Sequence, residues 1–314
     1  MIEDYSGKTA VLTGAASGLG LECARIAARL GMRLVLVDVQ ADALAAAEAE
    51  MKSLAADVLA LRVDVSNAEE MDALGVAVRE RFGAPHLVFN NAGVIATGLV
   101  WETSAREWDW VMGVNLRGVA HGVRVFTPMM LEAARADADW RGHIVNTSSM
   151  AGLLATPNMG VYNVSKHAVV ALSETLYQDL QLVTGQIGAS VLCPYFVPTG
   201  IARSERNRPD ELNVSGATRS QQLGSQMLDK AVTHSRVTAE EVAQKVFDAV
   251  AANQFYIYSH PQAVGAVRTR MDDILQARNP SDPFAARPQL REQLQDQLMG
   301  RWPEPPASPS EAPA

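Results

Sequence analysis

The sequence predicts an α/β protein: a doubly wound, mainly parallel β-sheet of about seven strands with helices on both faces. Two observations predict this class. Over the first two hundred residues, short apolar runs alternate with longer stretches of helical periodicity, and such apolar strands are typical of parallel sheets buried on both faces. The chain has 314 residues, of which 48% are hydrophobic, enough for one large core. Because crossovers between parallel strands are right-handed, the doubly wound arrangement follows.

The predicted elements follow one another in a regular order. They are strand 9–13, helix 20–30, strand 33–37, helix 42–56, strand 59–63, helix 69–82, strand 87–89, strand 143–145, helix 161–174 and strand 189–192. Thr238 and Glu241 then form a capping-box signature, which opens a helix to about Ala252. Residues 255–258 are the predicted last strand.

The C-terminal third has a different pattern. Residues 199–235 are polar and show no clear period, which is typical of a functional lid or a disordered loop. We place this segment inside a single domain that covers residues 1–260. Residues 261–300 form a predicted helical extension, interrupted at 279–283. Residues 301–314 contain five prolines and are predicted to be a disordered tail.

Composition and charge exclude several classes of function. A net charge of -8 argues against nucleic acid or an anionic membrane as a main partner. No apolar run approaches the ~18 residues that a membrane span needs, and we recognise no secretory signal. Cys23 and Cys193 show no metal-ligand spacing, so we predict no metal and free thiols in a reducing compartment. These observations favour a cytoplasmic protein that binds a small molecule.

A glycine-rich loop joins the first predicted strand to the first helix. Gly14, Gly18 and Gly20 lie within residues 13–20, where missing side chains allow a tight turn and a close approach to a pyrophosphate. The helix N-terminus would then present free N–H groups to the phosphates, as in a Rossmann-type dinucleotide site. Three glycines alone predict such a site no better than a tight structural turn.

Asp38 ends the next predicted strand, about twenty residues after the loop. A carboxylate at this position can accept hydrogen bonds from both ribose hydroxyls of NAD and would repel the 2′-phosphate of NADP. No Lys or Arg lies between Gly14 and Gly20, and Val39 and Gln40 follow Asp38, so we expect nothing nearby to neutralise that phosphate. The alternative is a solvated aspartate at the end of a strand. The sequence therefore favours NAD over NADP.

Together with downstream motifs, this loop resembles the short-chain dehydrogenase/reductase family. The matching motifs are 13–20, Asp64-Val65, Asn-Asn-Ala-Gly at 90–93, Asn115, Ser149 and Tyr-Asn-Val-Ser-Lys at 162–166. The resemblance covers roughly residues 5–200 and the helix–strand unit at 238–258. It implies that the cofactor contacts Gly14, Ser17, Gly18, Leu19, Gly20, Asp38, Asp64, Val65, Asn90, Gly93, Tyr162, Lys166, Pro194, Val197 and Thr199. For Asn91, a direct cofactor contact and a purely structural turn remain equally plausible.

Tyr162 and Lys166 are four residues apart in a predicted helix, so they lie on one face. A tyrosine has a pKa of about 10, and we expect the neighbouring ammonium to lower it toward the range of a general acid or base. Taken alone, the two residues would be an ordinary surface pair.

The resemblance changes the interpretation of this pair. It implies that Ser149 binds the substrate oxygen and that Lys166 also binds the nicotinamide ribose hydroxyls. Ser148 is the neighbouring alternative, which would project to the opposite side of an extended chain. The resemblance further implies that Asn115 holds a water linked to Lys166, and the alternative is a helix-kinking, backbone-bonding asparagine.

The chain departs from the family where substrate selection is expected. Tyr195 stands after Pro194 where glycine is usual, so a large ring is predicted beside the nicotinamide. Met150 and Tyr195 are candidate substrate contacts. A wider set of apolar residues predicts either a bulky hydrophobic or aromatic substrate or ordinary core packing: Met150, Leu153, Leu154, Met159, Tyr195, Phe196 and Met227.

The function that these residues predict is NAD-dependent hydride transfer to or from a secondary alcohol or ketone. Two alternatives remain: a non-catalytic dinucleotide-binding sensor or scaffold, and a related chemistry such as epimerisation or dehydration. The resemblance also implies a homodimer or homotetramer. The substrate, its stereochemistry and the direction of reaction stay open.

Overall fold

The computed structural model describes residues 2, 4–54, 56–214 and 216–299. In this part of the chain the strands are β1 (Thr9–Thr13), β2 (Arg33–Asp38), β3 (Val58–Arg62), β4 (Leu87–Asn90), β5 (Gly142–Thr147), β6 (Ile187–Cys193) and β7 (Tyr256–Tyr258). The α-helices are α1 (Gly18–Arg29), α2 (Ala41–Ser53), α3 (Ala68–Phe82), α4 (Ala105–Met112), α5 (Gly118–Ala136), α6 (Gly160–Val183), α7 (Arg219–Thr233), α8 (Ala239–Ala252), α9 (Val264–Leu275) and α10 (Pro288–Met299).

All seven strands form one parallel sheet in the order β3-β2-β1-β4-β5-β6-β7. This confirms the predicted doubly wound, Rossmann-type sheet. The chain runs outward from β1 to β3 and then returns to place β4 on the other side of β1. Ligands of such sheets bind at the carboxyl ends of the strands where the direction of winding reverses, so β1 and β4 mark the expected site.

The sheet separates two apolar core layers because neighbouring side chains of a strand point to opposite faces. Leu12 of β1 packs in a buried cluster with Ile26 of α1 and Val246 of α8. Val11, its neighbour, belongs to the opposite cluster with Val78 of α3. All five residues are at most 4% exposed, which explains why the strands appear in the sequence as uninterrupted apolar runs.

Three helices were absent from the sequence prediction. The chain between β4 and β5 folds into α4 and α5, joined by a π-helical turn at Gly113–Arg117. The polar segment 199–235 contains the 3-10 helix Gly200–Asn207 and the α-helix α7. Thr218 opens α7 with a capping box to Gln221, a local signal that sequence periodicity did not reveal.

The C-terminal extension is helical, as its pattern indicates. Its helices are separated by residues 276–287, a longer interruption than the predicted 279–283. The chain divides into two compact units, the first ending at Arg268 and the second beginning at Thr269. The predicted tail at 301–314 lies outside the described residues. Among the helices that are described, none has the length and hydropathy to cross a membrane.

Candidate active site

A cavity of about 300 Å³ opens at the carboxyl ends of the central strands. Most of the predicted site residues line it: Gly14, Ser17, Gly18, Leu19, Asp38, Asp64, Val65, Gly93, Ser149, Met150, Tyr162, Lys166, Pro194, Tyr195, Val197 and Thr199. We call the part formed by Gly14, Ser17, Gly18, Asp38 and Asp64 the loop end. We call the opposite part the tyrosine end. It is formed by Tyr162 and the apolar side chains packed with it: Ile95, Met159, Phe196, Ile201, Leu228 and Val232.

The glycine loop lines the cavity at the start of α1. Gly14 and Gly18 have φ values of +66° and +54°, which residues with side chains rarely adopt. A Cβ atom on Gly20 would lie 2.1 Å from the Gly14 carbonyl oxygen, so only glycine lets the loop close onto α1. Ser17, the N-cap residue of α1, makes no side-chain capping bond. The start of α1 is thus a glycine cradle whose N–H groups and positive helix end fit a phosphate.

Both carboxylate oxygens of Asp38 are held at the end of β2. Oδ2 accepts a hydrogen bond from Ala16 N and Oδ1 accepts one from Gln40 N, each at 3.0 Å. The residue is half-buried on the cavity wall. Sequence analysis missed Arg62, which is the β3 neighbour of Asp38 in the sheet and donates to Val39 O at 3.2 Å. A cation therefore lies near Asp38, although Arg62 does not line the cavity.

Asp64 and Val65 follow β3 at the same edge of the sheet. Oδ1 of Asp64 accepts hydrogen bonds from the backbone and the hydroxyl of Ser66, both at 2.8 Å. Val65 is pressed against α5, where a Cβ on Gly118 would lie 2.7 Å from Cγ2 of Val65. These contacts hold one carboxylate and one apolar side chain at the loop end.

Ser149, Tyr162 and Lys166 come together at the other side of the cavity. Ser149 directly follows the end of β5, and Tyr162 and Lys166 lie one turn apart in α6. Ser149 and Tyr162 both line the cavity, where the Ser149 hydroxyl acts to lower the pKa of Tyr162. The ammonium of Lys166 donates to Thr147 O at 2.9 Å and lies 5.7 Å from the centroid of the Tyr162 ring.

Burial dominates the ionisation of this group. Desolvation raises the pKa of Tyr162 to about 12, and the hydrogen bond from Ser149 opposes the increase. Desolvation also lowers the pKa of Lys166 to about 8. The expectation that the ammonium lowers the tyrosine pKa is therefore wrong for the polypeptide by itself. The reason is that the ammonium is directed at a backbone carbonyl, while both groups are taken out of water.

The two neighbouring serines have different environments. Ser148 is fully buried and donates to the backbone carbonyl of Lys166 at 2.8 Å. Ser149 is half-buried, donates to Pro194 O at 3.3 Å and accepts from Ala151 N at 3.1 Å. Of the two hydroxyls, that of Ser149 lowers the pKa of Tyr162. This arrangement favours Ser149 over Ser148 as the residue that meets a substrate oxygen.

Asn115 lies in the π-helical turn and does not line the cavity. Its Oδ1 accepts from Val94 N at 2.8 Å, and its Nδ2 donates to Val94 O at 2.9 Å and to Ser165 Oγ at 3.0 Å. The side chain is fully buried. This is the backbone-bonding arrangement, which ties the bend between α4 and α5 to the loop after β4 and to α6.

Two further predicted residues are also behind the cavity wall. Gly20 packs under the glycine loop, as described above. Asn90 is buried and donates from Nδ2 to Asn146 Oδ1 at 2.9 Å. Its amide lies against α5, where a Cβ on Gly122 would be 2.0 Å from Asn90 Oδ1. In this structure the Asn90 side chain joins β4 to β5 and α5, and a cofactor contact by this residue stays a prediction.

The wall at the tyrosine end is apolar. It is formed by one packed cluster that includes Ile95, Met159, Tyr162, Phe196, Ile201, Leu228 and Val232. Of the seven apolar residues proposed from the sequence, Met150, Leu154, Met159, Tyr195 and Phe196 line the cavity. Leu153 is instead buried in a neighbouring core cluster, and Met227 is 36% exposed. Four further lining residues were not predicted, because the sequence analysis predicted no secondary structure for their segments: Ile95, Ile201, Leu228 and Val232.

Tyr195 lies at the rim of the cavity. Its side chain is 45% exposed and contacts the rings of Phe196 and His260, with centroid distances of 4.4 and 5.8 Å. The backbone N–H of Tyr195 donates to Ser259 Oγ at 2.9 Å. The large ring that replaces the usual glycine is thus supported from the end of β7.

The segment 200–233 is attached to the body of the domain by buried polar contacts. Ser204 Oγ accepts from Ile95 N at 3.0 Å and donates to Ile95 O at 3.3 Å. Arg208, with only 4% of its side chain exposed, lies 4.0 Å from Glu107 and 4.4 Å from the Trp110 ring centroid. This segment therefore forms one wall of the tyrosine end.

The comparisons with known proteins agree with this geometry. The short chain dehydrogenase family profile matches residues 8–210. A CLA biosynthesis dehydrogenase/reductase of Lactiplantibacillus plantarum is 32% identical over 87% of this chain and 95% of its own length. The C alpha-dehydrogenase of a Sphingobium species is 30% identical, covering 91% of this chain and 92% of that protein. The crystal structure of a short-chain dehydrogenase/reductase from Burkholderia phymatum in complex with NAD is 51% identical, with a TM-score of 0.86, and covers 89% of this chain and 98% of that one.

The chain belongs to the short-chain dehydrogenase/reductase family, whose members are NAD(P)-dependent oxidoreductases.

Proposed function

We propose that this protein is an NAD-dependent oxidoreductase that interconverts a bulky, apolar or aromatic secondary alcohol and its ketone. The proposal rests on a single cavity that combines a phosphate-binding region with a candidate acid/base group. A glycine cradle for phosphates lies at the loop end, and Ser149 and Tyr162 line the other end of the same cavity with Lys166 one helical turn from Tyr162.

Tyr162 is the proposed general acid and base. When bound, the nicotinamide supplies or accepts the hydride. During oxidation the phenolate of Tyr162 removes the proton of the substrate hydroxyl, and during reduction the phenol returns it. Ser149 donates a hydrogen bond to the substrate oxygen, which carries increasing negative charge as the alcohol loses its proton. Lys166 is proposed to bind the nicotinamide ribose hydroxyls, and Asn115 positions α6 through Ser165.

NAD is the proposed cofactor because of the charge and placement of Asp38. Its two oxygens are fixed by the Ala16 and Gln40 N–H groups, and a carboxylate there repels a 2′-phosphate. The similar Burkholderia phymatum structure holds NAD. Arg62 weakens this argument, since it lies beside Asp38 in the sheet.

The substrate class follows from the composition of the cavity. Its charged lining residues are Asp38, Asp64, Lys166 and Arg206, and only Lys166 belongs to the tyrosine end. A cationic substrate would find no counter-charge there, and an anionic one would find only the Lys166 ammonium, which already donates to Thr147 O. The similar proteins of Sphingobium and Lactiplantibacillus are named as a C alpha-dehydrogenase and a dehydrogenase/reductase, which supports an oxidoreductase.

The rival proposal is a dinucleotide-binding sensor or scaffold without catalysis. The buried phenol of Tyr162 beside Ser149 argues against it, since binding a dinucleotide requires no general acid or base. Epimerisation or dehydration would use the same residues and differ in product. The homo-oligomer and the cytoplasmic location stay predictions.

A panel of secondary alcohols tests the proposal. Purified protein is mixed with each alcohol and either NAD or NADP, and formation of the reduced cofactor is followed by absorbance. We expect turnover with aryl or long-chain secondary alcohols, at least about ten-fold higher kcat/KM with NAD, a difference of about 1.4 kcal/mol, and no turnover with charged hydroxy acids. Cofactor binding without reduction of either cofactor would favour the sensor, and a preference for NADP would contradict the role of Asp38.

A further inference from the structure

One cationic side chain on the cavity wall has no role in the proposed reaction. Among the described lining residues, the cations are Lys166 and Arg206. Lys166 belongs to the catalytic group, whereas Arg206 lies in the 3-10 helix Gly200–Asn207, outside every motif that the sequence revealed. Because Arg206 is exposed and not packed in the core, its hydrogen bonds determine where its guanidinium lies.

The contacts of Arg206 place it beside the glycine loop. Its Nη1 donates to Gly200 O at 3.0 Å and to Arg203 O at 2.7 Å. Gly200 directly follows Thr199, and a Cβ on Gly18 would lie 3.1 Å from Cβ of Thr199. The guanidinium is therefore held next to the residue that covers the start of α1.

The backbone of Arg206 reaches the ribose side of the loop end. Its carbonyl oxygen accepts a hydrogen bond from Gln40 Nε2 at 3.4 Å, and Gln40 N in turn donates to Asp38. Arg206 thus lies between the acid proposed for the adenosine ribose and the glycine cradle proposed for the phosphates. A dinucleotide that uses both features would pass its pyrophosphate beside this guanidinium.

We propose that Arg206 binds the pyrophosphate of the dinucleotide. The glycine cradle offers backbone N–H groups and only a partial positive charge. The two negative charges of the pyrophosphate are therefore not neutralised by the cradle alone. Both recorded bonds of the guanidinium use Nη1, so Nη2 and Nε keep donors for a phosphate, for which the planar fork of arginine is suited. This inference rests on the proposed dinucleotide site.

Arg206 also connects the two ends of the cavity. The same 3-10 helix contains Ile201, which lines the tyrosine end, and Ser204, which bonds to both backbone groups of Ile95. Cofactor held by Arg206 therefore stabilises the wall against which the substrate packs.

The test measures binding without substrate, by titration calorimetry with NAD, NADP, ADP-ribose and adenosine. We expect Arg206→Gln to weaken NAD and ADP-ribose about ten-fold or more, as for a lost charge-assisted hydrogen bond, and to leave adenosine unchanged. The affinity of the wild type falls with added salt more steeply than that of the variant. Arg206→Lys restores the salt dependence and part of the affinity.

Arg203→Gln is the matched control. Arg203 is an exposed arginine of the same 3-10 helix that does not line the cavity, so the change in net charge is the same and binding should be unaltered. Equal affinities of the wild type and Arg206→Gln for ADP-ribose overturn the proposal. If Arg206→Gln also weakens the binding of adenosine, Arg206 instead stabilises the fold of its 3-10 helix. If it weakens the binding of NADP alone, Arg206 binds the 2′-phosphate. If the wild type binds no nucleotide, the proposed function itself fails.

Discussion

The loop end of the cavity is built mainly from backbone, whereas the tyrosine end is built from side chains that distant segments contribute. At the loop end, Gly14, Gly18 and Gly20 act through the side chains they lack, and consecutive strand ends supply Asp38 and Asp64. At the tyrosine end, the wall combines residues from the loop after β4, from the start of α6 and from α7. We therefore expect the first end to bind the cofactor and the second to select the substrate.

This comparison predicts that substitutions at the two ends affect different measurements. Changes at the loop end should alter the dissociation constant of the cofactor, and changes at the tyrosine end should alter turnover or substrate preference at saturating cofactor. The predictions below are ordered from the largest expected effect to the smallest.

Ser149→Ala should lower kcat by about a hundred-fold to a thousand-fold, the usual cost of losing a donor to a developing oxyanion. The dissociation constant of NAD, measured by calorimetry, should be unchanged. Ser148→Ala is the matched neighbour, since that hydroxyl bonds the Lys166 carbonyl and not Tyr162. A larger loss of turnover in Ser148→Ala than in Ser149→Ala would exchange the proposed roles of the two serines.

Gly20→Ala should weaken cofactor binding by about ten-fold or more and lower the free energy of unfolding by about 1–3 kcal/mol. The new Cβ would meet the Gly14 carbonyl oxygen at 2.1 Å, so the loop must move away from α1. Calorimetry with NAD and a thermal melt give the two values. Gly185→Ala is the control, because no atom lies within 4 Å of its added Cβ. Unchanged NAD affinity in Gly20→Ala would contradict the cradle.

Leu228→Ala should change the substrate preference by about ten-fold in kcat/KM toward bulkier alcohols, since a few methylenes of pocket space are worth about 1–3 kcal/mol. Leu228 is 7% exposed and lines the tyrosine end, while Leu223 on the same helix is 6% exposed and does not line the cavity. Both truncations should destabilise the fold similarly. The account is contradicted if Leu223→Ala shifts the preference as much.

The rate of alcohol oxidation should change with pH by up to ten-fold per pH unit, whereas the affinity for NAD should not. Because burial raises the pKa of Tyr162 to about 12, the phenol is protonated at neutral pH and the basic form increases as the pH rises. Alcohol oxidation at saturating NAD should therefore accelerate from pH 6 to 8. NAD affinity should stay constant, and a flat oxidation profile would argue against a tyrosine base.

The same contrast explains what the sequence could and could not predict. The sheet and the glycine loop depend on local patterns: apolar runs, positive-φ positions and strand-end acids. Helix α5 was missed because it contains Pro128 and two glycines, residues that usually argue against a helix. Glycine is required at Gly122 because a Cβ there would overlap the amide of Asn90. These two residues are far apart in sequence, so the local pattern does not reveal the contact.

The site was predicted unevenly for the same reason. Tyr162, Lys166 and Ser149 follow family spacing, and the structure brings all three to one cavity. Leu228 and Arg206 lie in a polar segment without periodicity, so their roles depend on tertiary contacts. The direction of the pKa shift of Tyr162 also depends on burial, which a spacing of four residues does not reveal.

The most direct test of the central claim compares the wild type with Tyr162→Phe. Tyr177→Phe, on the same helix and away from the cavity, is the control. The account predicts that Tyr162→Phe binds NAD with the affinity of the wild type and reduces it at least about a hundred-fold more slowly with a secondary alcohol, the contribution of a general base. Turnover by Tyr162→Phe equal to that of the wild type would contradict it.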